Sequence, residues 1–409
     1  MPPARQPATH SSAEIRGGHT GHLRRANLER VQAFVMEHQG PFACAELMKA
    51  TGLSAPTVGK LVKQLVQRGL VRDLGVGPSR GGRRPSLMEF NARYGYVAAI
   101  SLGVAKTQLA VADLRGARLA HHVLATPAEL QPAAVLECLA VALRNLARDF
   151  EIPWDRLLAA SVATPGLVDR DSGTVVALAP GLHWSNVPVA EWLGRALGVP
   201  VLVENDVNMA ILGEHRWGAA RGHDTCAYIE VGAGIGAGIL VEGRLHRGQN
   251  RMAGEIGFMC VAPDHAHREP TDRGCLETLA GLAALAARWP CRAHGDAELW
   301  VPELYAAARA GDREADRAVQ EVATLVGVAV ANLSLVIDPS LVVVGGVLSV
   351  PGSPFVEQLR STVAGIVPTP VSIVPSLLGE EAPLWGALLT ATAHARHQLR
   401  PRLRQVASR

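Results

Sequence analysis

Four stretches in the second half of the chain carry residues suited to holding hydroxyl groups or phosphates. The run VENDVN (203–208) leaves an apolar segment on Asn205, Asp206 and a second amide, Asn208. AGEIGF (253–258) and GCLE (274–277) add Glu255 and Glu277. GAGIGAGIL (232–240) is a hairpin-like glycine turn, and GGVLS (345–349) follows the apolar LVVV. Carboxylates beside an amide accept and donate hydrogen bonds to vicinal hydroxyls. A turn without side chains lets a phosphate reach backbone N–H groups. Singly, each stretch reads equally well as a tight turn or a solvated acid; their order along one chain is the specific signal.

A different chemistry sits near the start. The segment APTVGKLVKQLVQRG puts Val58, Leu61, Val62 and Leu65 on one helical face and leaves Ala55, Thr57, Lys60, Lys63 and Gln64 exposed. Ser54 stands at its N-cap, and Pro56 lies in its first turn, where a missing N–H costs little. Such a helix can enter the major groove of double-stranded DNA and set Ser54, Thr57, Lys60 and Lys63 against base edges and phosphates. The loop VGPSRGGRRP carries Arg80, Arg83 and Arg84 on a glycine tether, which suits a narrow, electronegative minor groove.

Periodicity gives the elements that must position these groups. Residues 1–22, rich in Pro, Gly, Ser, Thr and His, are expected to be a disordered tail. Residues 23–90 read as three helices plus a two-stranded ribbon, a winged helix-turn-helix. From 91 to 409 strands alternate with helices, which argues for an α/β body. In this reading DTCAYIEVGAGIGAGILVEG is strand, and the helix READRAVQEVATLVGVAVANLSLVI leads into LVVVGG.

The net charge of +3 hides an asymmetry. Residues 1–94 hold 14 Lys+Arg against 6 Asp+Glu, a net of +8, and the remainder carries −5. A basic head on an acidic body points to nucleic acid or another anionic surface. The six cysteines are scattered without a CxxC pair and read as reduced thiols. No apolar leader is visible at the N-terminus, and Val322–Ile337 is too short to span a bilayer, so a soluble, cytoplasmic protein is expected.

Taken together and in order, these motifs resemble the ROK family (repressors, open reading frames and sugar kinases) over residues 23–400. LRRANL, GPFACAELMKATGLSAPTV and GGRRP are similar to the winged helix of its regulator branch. PGLVD (165–169), VENDVN, GAGIGAGI, AGEIG, GCLE and DPSLVVVGG are similar to its two-lobed, actin-like (ribonuclease H-like) sugar-kinase body. The resemblance implies lobes of about 91–212 plus the C-terminal helix, and 213–384. It also implies that Asn205, Asp206, Glu255 and Glu277 bind sugar, with Asp206 at the position of a kinase general base.

Two departures bear on function. Where the family kinases have an Asp-x-Gly-Gly-Thr turn, this chain has Ser101-Leu102-Gly103-Val104-Ala105. A metal-organising carboxylate and a hydroxyl are lost, and Val104 puts a branched side chain where phosphate must approach. Of the family's zinc-site residues, the His is Phe258, two cysteines are Arg268 and Pro270, and Cys275 alone is kept. One ligand does not make a structural zinc site, and a substitute from Cys260, His265, His267 and Cys275 has irregular spacing. Phe258 also removes a ring that would link zinc to a sugar hydroxyl. The expectation is a sugar-responsive DNA-binding regulator, most simply a repressor. It would be a homodimer or homotetramer on operator DNA, without metal, cofactor or effective kinase activity. The alternative is an ATP-dependent sugar kinase with a DNA-binding head.

Overall fold

Alternating strand and helix periodicities resolve into two units in the computed structural model, which describes residues 12–77, 84–127, 131–177, 184–265, 274–290 and 297–405 (side chains of 12–22, 263 and 400–405 excepted). One unit holds the residues up to Gly95, Asp113–Arg115 and the chain from Ala393 onward; the other holds Tyr96–Ala112 and Gly116–Thr392.

The first unit opens with α1 (Ser12–Glu37), then β1 (Phe42–Ala43), α2 (Cys44–Thr51), α3 (Ala55–Gln67), β2 (Val71–Val76) and β3 (Ser86–Phe90). Helix α1 starts well before Leu23, so part of the expected disordered tail is helical. No proline occurs between Pro7 and Pro41 to interrupt its backbone ladder. The core is made by Leu28, Val31, Val35, Phe42 and Leu47 with Val58, Leu61, Val62 and Leu65 of α3, all buried. Truncating Phe42 to Ala there should cost about 3–5 kcal/mol.

The ribbon is three-stranded rather than two-stranded, in the order β1-β3-β2. Phe42 pairs with Met88 and Ala43 with Leu87, a strand too short to show a period in the sequence. Arg72 and Glu89 face each other across β2 and β3 and form an ion pair at 2.7 Å. Within the same unit Leu114 is buried and its carbonyl accepts from Arg396 Nε at 2.6 Å.

The second unit has two five-stranded sheets. The first is built from β4 (Tyr96–Leu102), β5 (Lys106–Asp113), β6 (Arg118–Ala125), α4 (Pro132–Asp149) and β7 (Leu157–Thr164). The chain then forms β8 (Leu167–Asp169), β9 (Thr174–Ala177), β10 (Ser185–Val187), α5 (Val189–Leu197), β11 (Val201–Asn205) and α6 (Asp206–Trp217). The sheet order is β11-β7-β4-β5-β6, with β11, β7 and β4 parallel, and β8–β10 form a small separate sheet.

The second sheet uses β12 (Cys226–Val231), β13 (Ile235–Val241), β14 (Arg244–Leu245), then α7 (Cys275–Ala280), α8 (Leu282–Arg288), α9 (Ala297–Arg309) and α10 (Arg313–Ile337). It is completed by β15 (Leu341–Gly345), α11 (Pro354–Ile366) and β16 (Ile373–Pro375), and the C-terminal α12 (Ala382–Gln405) follows. Its order is β14-β13-β12-β15-β16. The glycine run makes the hairpin-like turn expected of it: Gly232-Ala233-Gly234 turns between the antiparallel β12 and β13. Glycine is required at 238: a Cβ there would lie 2.2 Å from the Val207 carbonyl oxygen, so α6 seats directly on β13.

Helix α10 spans the same residues, 313–337, that the sequence marks as helical. Its 25 residues are long and apolar enough to cross a membrane by length and composition. In the fold, Val319, Val322, Val326 and Val330 are buried in the core of the second sheet's lobe, with β12, β15 and α11 around them. Among the described residues it is the one helix that meets that criterion.

Candidate functional site

Ser54 has extended backbone geometry at the N-cap of α3, and its carbonyl accepts the first helical bond, from Val58 N at 3.0 Å. Its hydroxyl does not cap the helix and instead meets Thr57 Oγ1 at 3.0 Å. The Ser54 and Thr57 hydroxyls thus form one polar pair at the helix start. Ser54, Ala55, Lys60 and Lys63 are exposed, whereas Thr57 and Gln64 are half-buried. Arg84 is exposed at the base of the wing, where Gly77 N donates to Pro85 O at 2.8 Å. Arg80 and Arg83 lie outside the described residues.

The second candidate lies at the carboxyl ends of parallel β7 and β11, the usual ligand edge of an α/β sheet. Thr164 and Asn205 are partners there. Asn205 caps α6, its Oδ1 accepting from Asn208 N at 3.2 Å, and its Nδ2 donates to Gly166 O at 3.0 Å. It therefore ties the PGLVD turn to the helix that begins at Asp206. Asn205 and Glu255 line one pocket, together with Gly166, Glu204, Asn208, Arg247 and Arg251.

Asp206 and Glu277 do not line this pocket, but their charges reach Glu255. Burial pushes the Glu255 carboxyl up, and the charges of Asp206 and Glu277 add to the effect. Asp206 is pushed up to about 6 by enclosure in protein, although its Oδ1 accepts from Val207 N at 2.9 Å. Glu277 Oε2 accepts from Ile235 N at 3.3 Å, against the glycine hairpin. Gly254 has φ +95, and a Cβ there would fall 1.9 Å from the Ala237 carbonyl oxygen, so only glycine lets Glu255 reach this position. Of the four residues singled out in the sequence, Asn205 and Glu255 line the pocket, whereas Asp206 and Glu277 lie within electrostatic reach of Glu255 without lining it.

Other residues of the site gave no signal of their own. Arg247 Nε donates to Glu204 Oε2 at 2.7 Å, and Arg251 pairs with Asp169 at 2.8 Å and Asp171 at 3.2 Å. These pairs join the segment after β14 to β11 and to the β8–β9 hairpin. Arg251 holds φ +61, an uncommon backbone for a residue with a side chain. Only tertiary folding brings such sequence-distant partners together.

The phosphate side is altered as well. In the Ser101–Ala105 turn, Gly103 N donates to Lys106 O at 3.1 Å, and Thr126 donates to Gly103 O and Ala105 O at 2.8 and 2.9 Å. Those backbone groups are already occupied. Lys106 pairs with Glu298 and with Glu380. Glu230 accepts from Tyr228 Oη at 2.6 Å and is pushed up to about 7, chiefly by burial, with the charges of Asp206 and Glu380 adding to it. A Cβ on Gly345 or Gly346 would lie within about 3 Å of this carboxylate, so it faces the turn after β15.

Among the described residues, no three His, Cys, Asp or Glu side chains gather as a metal cluster. Cys260 is exposed and its thiol points to Ala262 O at 3.2 Å; Cys275 and His265 are half-buried, and His267 lies outside the described residues. Phe258 is 46% exposed.

Comparison with known proteins follows this geometry. Residues 97–394 match the model of the ROK family, and residues 33–75 match an IclR helix-turn-helix domain. The chain is similar to the xylose repressor of Caldicellulosiruptor bescii, at 29% identity over 330 residues, covering 78% of this chain and 82% of that one. A ROK hexokinase structure from Thermus thermophilus is 33% identical, with a TM-score of 0.61, over 74% of this chain and 99% of that one. A structure of a ROK family transcriptional regulator, a homologue of the E. coli MLC protein, matches at a TM-score of 0.75. It covers 94% of this chain and 100% of that one, and at 23% identity it speaks for the fold.

Proposed function

The chain belongs to the ROK family, and from that premise we propose that it is a DNA-binding transcriptional regulator, acting as a repressor, whose kinase-like body senses a sugar. The observation that carries the reading is the union, on one chain, of a winged helix with an exposed Lys60–Lys63 face and a polar pocket lined by Asn205, Asn208 and Glu255. A similar xylose repressor supports this division of labour. In this reading Ser54, Thr57, Lys60, Lys63, Arg80, Arg83 and Arg84 contact operator DNA. Asn205, Asp206, Glu255 and Glu277 hold the effector. The regulator acts in the cytoplasm as a homodimer or homotetramer on a roughly palindromic site, since a repeated head reads repeated half-sites. The sugar acts by binding one form of the body more tightly than the other.

Kinase activity is absent in this reading. Ser101 and Ala105 supply neither the carboxylate nor the hydroxyl of a working phosphate turn, and Val104 crowds it. The kinase alternative draws on the similarity to a hexokinase. Two assays separate the readings. Chromatin mapping of the tagged protein should recover discrete promoter sites released by a sugar. A coupled phosphorylation assay across pentoses, hexoses and amino sugars should stay at background. Turnover of roughly 1–10 per second, ordinary for an enzyme, would make the kinase reading the correct one.

A further inference from the structure

Asn208 is the second amide of VENDVN and has no part in the roles assigned so far. It is 8% exposed and lines the pocket beside Glu204 and Arg247. Its Nδ2 donates to Glu204 Oε1 at 3.1 Å, whereas its Oδ1 has no hydrogen-bond partner among the described residues. Buried polar atoms are nearly always paired, so an orphan acceptor in a pocket calls for a partner that the pocket brings in.

The orientation of this amide is fixed. Turning it over would set Oδ1 against the Glu204 carboxylate, oxygen to oxygen. Glu204 is itself held, accepting from Asn205 N at 3.1 Å through Oε1 and from Arg247 Nε at 2.7 Å through Oε2. Arg247 thus locks Glu204, and Glu204 locks Asn208 with its acceptor free.

Building on the sugar-sensing reading above, we propose that Asn208 is a specificity-determining contact, whose Oδ1 accepts a hydrogen bond from one hydroxyl or amide N–H of the effector. Asn208 lines the same pocket as Asn205 and Glu255. At that position the effector must offer a donor. An ether, carboxylate or phosphoryl oxygen would meet the amide oxygen lone pair to lone pair and leave it unpaired, which is how a polar pocket rejects an analogue lacking the matching group.

The test uses the full-length protein and a panel of free aldopentoses, aldohexoses and N-acetylaminohexoses, with calorimetric titration. The best binder is then compared with its complete set of monodeoxy analogues. One deoxy position should lose about ten- to hundredfold in affinity, the loss typical of a buried acceptor left unpaired. Asn208→Leu, similar in size and without an acceptor, should show that loss with the parent sugar and no further loss with that deoxy analogue. Thermal melting establishes that the variant is folded, and Asn208→Ser, which restores an acceptor, should recover part of the affinity. Parent-sugar affinity unchanged in folded Asn208→Leu, or deoxy losses that simply add to the mutation at every position, would overturn the proposal and leave the sugar-sensing reading standing. Binding of no sugar to the wild-type protein would overturn both.

Discussion

Replacing Asp206 by Asn should make the protein more stable while abolishing its response to sugar. The carboxyl is enclosed by protein, and its titration point rises from 3.8 to about 6. A shift of roughly two pKa units corresponds to about 3 kcal/mol of disfavour for the charged form. The sign follows from proton binding. Between pH 3.8 and about 6 the folded state holds the proton more tightly than the unfolded chain, so stability falls as pH rises through that window. Above it the whole cost is present, and below it the cost is gone. Asp206→Asn removes the charge and keeps an oxygen for Val207 N. It should therefore gain up to about 3 kcal/mol at pH 8, roughly 5 °C in Tm for a body of this size, and almost nothing at pH 4. Calorimetric melts of both proteins across that range read the difference directly. The sugar-induced rise in Tm should vanish in the variant, because a neutral amide is a weaker acceptor than a carboxylate. A variant less stable than wild type at pH 8, or a difference that does not shrink on acidification, would refute the enclosure of this carboxyl as its cause.

The same logic applies to Glu230, whose titration point rises from 4.5 to about 7: Glu230→Gln should stabilise the fold above pH 7, with the gain fading as pH falls toward 4.5 in the same melts. In α1, Gln32 is fully buried and neither side-chain polar atom has a partner among the described residues, so Gln32→Leu should stabilise by about 1–3 kcal/mol in urea unfolding. Lys60→Ala and Lys63→Ala should each weaken operator binding and flatten the log–log salt dependence by about one unit, measured by fluorescence anisotropy between 50 and 200 mM salt.

What the sequence made legible follows a simple division. The apolar face Val58, Leu61, Val62 and Leu65 repeats at helical spacing, and all four are buried; such periods are local and survive into the fold. Asn205, Asp206, Glu255 and Glu277 stand out in the sequence through the order of their motifs along the chain, and Gly254, where a Cβ would meet the Ala237 carbonyl, is what lets Glu255 take its place. The start of α1 was missed because polar composition outweighed the absence of a helix breaker. Glu230 was missed because an acid on an alternating strand reads as outward-facing, while here Tyr228 Oη binds it. The Arg247–Glu204 and Arg251–Asp169 pairs carry no signal at all, since each joins residues far apart in sequence through the path of the whole unit.

The central claim is that sugar binding in the body governs DNA binding by the head. Its most direct test is an operator-binding titration, using a promoter fragment recovered by chromatin mapping, with and without the best-binding free sugar, for wild type and Asp206→Asn. The account predicts that sugar weakens wild-type binding at least tenfold and leaves the variant bound. Operator affinity indifferent to every sugar that binds the wild-type body, or release of the variant at the same sugar concentration, would contradict it.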